Sequence, residues 1–152
     1  PATLCNRLAR RSERSFSQAR IVLTWGQRPR DLDAYLVGSG IRINHKDRNA
    51  PGAKLDVDAK EGLGPETITL TGVGTYHYYV ADQANIGISE SSLGSADCHV
   101  QVYHQGARSG QSFTVPRVIG GPVWHVFDIR IARGHEVVVT PVNQWYRDVP
   151  KG

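Results

Sequence analysis

The chain has 152 residues, with 18 Lys+Arg against 14 Asp+Glu and a formal net charge of +4. That length supports one domain with a hydrophobic core and no obligatory metal or disulfide staple. Hydrophobic residues at 39% and charged residues at 21% exclude an intrinsically disordered composition. No apolar run approaches the ~20 residues of a membrane-spanning helix.

The charge is unevenly spread. Residues 1–30 carry seven arginines against one acid, a net +6, whereas residues 31–152 carry eleven basic and thirteen acidic side chains, a net −2. The basic balance therefore belongs to the start of the chain and does not describe a nucleic-acid-binding fold. The first 19 residues, Arg- and Ser-rich, read as an arm or linker. In it Arg7, Arg10, Arg11 and Arg14 form a polybasic set suited to an acidic partner. The chain starts Pro1-Ala2-Thr3, without a basic-then-apolar leader pattern, so the expectation is an excised domain or a removed signal.

From Arg20 onward, short runs rich in Val, Ile, Thr, Tyr and Trp alternate with Gly/Pro turns. The expected strands, in chain order, are 20–25, 32–37, 41–44, 54–58, 66–70, 75–81, 98–105, 111–116, 123–132 and 136–142. Turn chemistry separates them: Gly38-Ser39-Gly40, Ala50-Pro51-Gly52, Gly72-Val73-Gly74 and Gly120-Gly121-Pro122 supply positive or fixed φ where the chain must reverse. No stretch after Arg20 carries a helical apolar period. The fold class is all-β, an antiparallel β-sandwich of roughly eight to ten strands, Ig-like or jelly-roll-like. A barrel is the runner-up. The sandwich is expected over 20–147, with 148–152 as a tail.

Alternation assigns faces. Strict period two over 123–132 puts Val123, His125, Phe127, Ile129 and Ile131 on the core side, with Trp124, Val126, Asp128 and Arg130 opposite. It turns Cys98 inward and sets His77 on the face opposite Tyr76 and Tyr78. Trp25 ends the first strand as a core residue. Cys5 and Cys98 could bridge, stay as separate thiols or bond between chains; their spacing decides nothing and matches no zinc pattern.

The acids carry the sharpest chemical signal. Asp31 and Asp33 flank Leu32, and Asp56 and Asp58 flank Val57. In an extended strand each pair places both carboxylates on one face. Glu66 follows the Gly64-Pro65 turn. Converging carboxylates repel one another, and a hard cation with oxygen ligands relieves this, so Ca²⁺ is the expected ion. The competing reading is a set of solvated acids paired with Arg28, Arg30, Lys54 or Lys60.

Two stretches, RIVLTWGQRPRDLDAYLVG and KLDVDAKEGLGPETITLTGVGTYHYYV, carry a Leu-x-Trp strand end, Asp-Leu-Asp, Leu-Asp-x-Asp, Gly-Pro-Glu and a Gly-x-Tyr strand. In this order they resemble the YfaP-type β-sandwich domain of bacterial and modular extracellular proteins, clearly over 20–82 and more loosely to Trp145. Ala34-Tyr35 stand where that family usually carries a His. The resemblance implies an accessory, non-catalytic sandwich, extracellular or at the cell surface, with neighbouring domains in a larger chain.

No G-x-S-x-G, H-E-x-x-H or P-loop pattern occurs, so a small hydrolase ranks below the other readings. The leading reading is an interaction or adhesion module that takes a protein or glycan, with the strand aromatics as candidate sugar platforms. The second is an intracellular scaffold docking an acidic partner through its Arg-rich arm. On the cation reading, Ca²⁺ raises the melting temperature, and Asp33→Ala with Asp58→Ala removes that rise in thermal melts.

Overall fold

The computed structural model describes residues 19–26, 32–57, 65–87, 92–104, 110–117, 120–134 and 136–151. Eleven strands are present among them: β1 (Ala19–Trp25), β2 (Leu32–Gly38), β3 (Ile41–Ile43), β4 (Asn49–Ala50), β5 (Ala53–Val57), β6 (Glu66–Leu70), β7 (Gly74–Asp82), β8 (Cys98–His104), β9 (Gln111–Thr114), β10 (Val123–Ile131) and β11 (Val137–Tyr146). All ten expected strands are found. The addition is the two-residue β4, which pairs with β5 across the Pro51-Gly52 turn. Gly52 has φ +82, and Pro followed by a positive-φ Gly is the chemistry of a type II turn.

The strands form two antiparallel sheets. The first has the order β4-β5-β6-β1-β8-β9 and the second β11-β10-β7-β2-β3. They pack face to face as a sandwich, which shows the expected fold class. Each inner face is written by alternation. Ala19, Ile21, Leu23 and Trp25 of β1 point inward, as do Ile68 and Leu70 of β6 and Cys98, Val100 and Val102 of β8. From the second sheet, Leu32, Ala34 and Leu36 of β2 and Tyr76, Tyr78 and Val80 of β7 meet them. Tyr78 stacks on Phe127 with ring centroids 5.0 Å apart, and Phe113 of the first sheet lies 5.0 Å from Phe127. These rings tie the two sheets at the centre of the core.

The β2–β3 hairpin shows why the Gly-rich turn is there. Gly38 pairs with Ile41, leaving Ser39 (φ 49) and Gly40 (φ 80) as a two-residue loop with both φ positive, the type I′ geometry. A Cβ on Gly38 would sit 2.3 Å from the Thr75 carbonyl oxygen, so a side chain there collides with β7 backbone.

The regular register breaks in β10, and β11 follows with Val142 and Asn143 (φ 54) opposite the single Val126. The register runs His125 opposite Tyr79 and then Phe127 opposite Tyr78, so Val126 is an extra residue, a β-bulge. Val126 and Phe127 both enter the core, and the side assignment upstream of them is reversed. Trp124 is therefore a fully buried core residue, while Val123 and His125 face the outer side of the second sheet. The expected faces of residues 123–126 are corrected accordingly. Trp124 stacks near Trp145 and donates from its indole nitrogen to the Asn143 side-chain oxygen at 3.0 Å.

The outer face of the second sheet is also buried in part. Tyr35, Val37, Tyr79, Ala81 and Val123 are covered by Val149, with Ile86 packed alongside. Arg42 donates to the Pro150 carbonyl at 3.2 Å and lies 5.6 Å from the Tyr35 ring centroid. The residues after β11 thus serve as a cover over β2, β7 and β10. Trp124→Ala is expected to cost about 3–5 kcal/mol in urea denaturation, as for large aromatic truncations in packed cores, with Trp124→Phe costing less.

Candidate functional site

The proposed carboxylate constellation has three described members, and the sandwich places them apart. Asp33 is buried on the outer face of the second sheet, where His45 Nδ1 lies 3.4 Å from its carboxylate. Asp56 is on the outer face of the first sheet, with its side chain 61% exposed and 3.5 Å from Lys54 Nζ. Glu66 is buried between the sheets. Its Oε1 accepts a hydrogen bond from the Ala34 backbone N–H at 3.2 Å, joining β6 to β2. Sheets packed face to face stand about 10 Å apart, so these three carboxylates share no coordination shell. A shared ion would depend on Asp31 and Asp58, which lie outside the described residues, as do Arg7, Arg10, Arg11 and Arg14.

The bulge assembles a different cluster. Opposite pairing sets Asp128 of β10 beside His77 of β7. Because Val126 is the extra residue, His125 and Asp128, three apart, emerge on the same outer face. Asp128 Oδ1 lies 2.5 Å from His77 Nδ1 and 2.7 Å from His125 Nε2. The His77 and Asp128 side chains are 36% and 35% exposed, and that of His125 9%. Burial pushes His125 below its ordinary value, partly countered by Asp128 and by a hydrogen bond with the Phe127 backbone. The Tyr79 ring packs 4.5 Å from the His125 ring, and its hydroxyl is pushed up to about 12, by burial first and then by Tyr146 and Asp128. The sequence reading set His77 apart on the correct face but missed the trio, because period-two alternation separates His125 from Asp128.

A second histidine array lies on the first sheet. His99 Nε2 is 2.9 Å from Asp97 Oδ1, and its Nδ1 is 3.2 Å from Thr114 Oγ1. The order Asp–His–hydroxyl is that of a nucleophile triad. All three residues are solvent-exposed, so water screens the ion pair and competes for the hydroxyl.

An open groove of about 560 Å³ runs along the β4–β6 edge of the first sheet. It is lined by Arg48, Asn49, Lys54, Leu55, Asp56, Pro65 and Thr67. Of the rings proposed for sugar stacking, Tyr76, Tyr78, Tyr79 and Trp124 are buried and Tyr103 and Trp145 are half-buried, and none of the six lines this groove.

No family model and no curated protein sequence matches the chain. Two solved structures share its fold. One is a protein of unknown function, SAV2460, at TM-score 0.68 and 15% identity, covering 89% of this chain and 92% of that one. The other is SCO6318 from Streptomyces coelicolor A3(2), described as a homologue of the telluride resistance protein TerD, at TM-score 0.68 and 13% identity with the same coverage. At such identity the likeness concerns the fold alone.

Cys98 is fully buried on β8, and burial pushes its thiol up to about 12. In a Cys5→Ser chain, a thiol reagent at pH 8 should leave Cys98 unmodified until denaturant is added. Modification of the native chain at the unfolded rate would contradict the inward placement.

Proposed function

We propose that the chain is a non-catalytic β-sandwich interaction module whose ligand is a protein segment, held in the groove along β4, β5 and β6. The groove is the observation that carries this reading. Its lining combines two cations, Arg48 and Lys54, with one carboxylate, an amide and a hydroxyl beside Pro65. That mixture suits an extended peptide with at least one acidic side chain, since complementary charge confers specificity. A glycan is less well served, because no aromatic ring lines the groove.

A non-catalytic role is supported by the state of the reactive groups. Burial encloses the Cys98 thiol and pushes it up to about 12, and the Asp97–His99–Thr114 array stands in solvent. An extracellular or cell-surface setting belongs to the same proposal and rests on the YfaP-type resemblance of residues 20–82.

An array of extended acidic and mixed-charge peptides, read by fluorescence anisotropy, tests the groove. Arg48→Ala with Lys54→Ala should weaken the best binder by about tenfold or more, as expected for loss of charge-assisted contacts. Deleting residues 1–18 should leave it unchanged. The reverse pattern would assign the partner to the Arg-rich arm instead. Turnover of ester or glycoside substrates that disappears in Thr114→Ala would replace the binding reading with a hydrolase.

A further inference from the structure

The trio on the outer face of the second sheet takes no part in the groove, which lies on the other sheet. We propose that His77, His125 and Asp128 form a binding site for a divalent first-row transition ion of the zinc class, with solvent completing the coordination.

The donor atoms are already gathered. One ligand atom from each residue lies within 4.8 Å of the other two, and among the described residues this is the group of that kind. In a tetrahedral site with bonds of about 2.0–2.1 Å, neighbouring donors stand roughly 3.3 Å apart. The carboxylate sits 2.5 and 2.7 Å from the two ring nitrogens, so it must withdraw by less than an ångström to admit an ion. Rotation of a half-exposed Asp side chain supplies that movement without disturbing the strands. What now joins the rings to Asp128 Oδ1 is hydrogen bonding through the very nitrogens an ion would use.

The donor set selects the metal. Two imidazoles and one carboxylate suit zinc and its first-row neighbours, whereas Ca²⁺ and Mg²⁺ prefer oxygen ligands throughout. The His125 ring is held in place. It hydrogen-bonds with the Phe127 backbone and packs against Tyr79 at 4.5 Å and Tyr146 at 6.2 Å. Such outer support fixes the orientation of a ligating histidine.

Charge and access agree with this. The register partners of the three residues on neighbouring strands are Val37 of β2, Tyr79 of β7, and Thr140 and Gln144 of β11, none of them cationic. Arg130 is two residues along β10 from Asp128 and exposed. His77 and Asp128 open to solvent, which provides an entry path and a place for the remaining ligands.

The test uses the full chain after chelator treatment. Calorimetry should give one Zn²⁺ per chain, and Co²⁺ should develop the visible absorption of a low-coordinate site. Zn²⁺ at about a hundredfold excess over its Kd should raise Tm by about 5–10 °C. His77→Ala and Asp128→Asn, both at half-exposed positions, should each weaken Zn²⁺ binding by about tenfold or more and abolish the Co²⁺ band. His125→Gln should do the same where circular dichroism shows it folded; the other two variants decide the matter where it is not. Absence of stoichiometric Zn²⁺ binding by the parent chain overturns the proposal. So does Zn²⁺ binding that survives both His77→Ala and Asp128→Asn.

Discussion

The arrangement of the second sheet depends on one extra residue in β10. Val126 and Phe127 both turn into the core, and every residue before them changes side relative to a regular strand. A bulge disrupts one step of the ladder and increases local twist. Here it is compensated by burial on both sides. Trp124 and Phe127 reach the interior together, one beside Trp145 and the other between Tyr78 and Phe113. A regular strand could place only one of them there.

The same displacement accounts for the polar cluster on the opposite face. His125 and Asp128 are three apart, a separation that points to opposite faces in an unbroken strand. With one residue absorbed by the bulge they share a face, and cross-strand pairing brings His77 beside them. Tyr79, Tyr35 and the covering Val149 then make that face partly dry. Within the cluster, the His125 ring packs against Tyr79 and Tyr146.

Electrostatics shows the opposite outcome for the acids of the D-x-D segments. Like charges separate unless an ion holds them, and the sandwich separates the described ones across its thickness. Asp33 meets His45, Asp56 meets Lys54, and Glu66 caps the Ala34 N–H between the sheets. The Glu66 contact is a polar link through an apolar core. A buried carboxylate there is sustained by hydrogen bonding to backbone that β3 does not cover, because β3 pairs with β2 only from Leu36 onward.

The sequence by itself determined the fold class, ten of the strands, the turns at Ser39-Gly40 and Pro51-Gly52, and the inward side of Cys98 on β8. These follow from local rules: β-branched and aromatic alternation, and residues whose φ preferences suit reversal. It also placed Trp25 and His77 on their correct sides, since those strands are regular. Only the tertiary structure decided which acids meet, which sheet each strand joins, and what covers the outer face. It alone decided that His77, His125 and Asp128 come together. That decision lies with a bulge whose packing is nonlocal: Phe127 sits between Tyr78 and Phe113, and Trp124 beside Trp145. No periodicity within β10 carries that information, because it belongs to the partners.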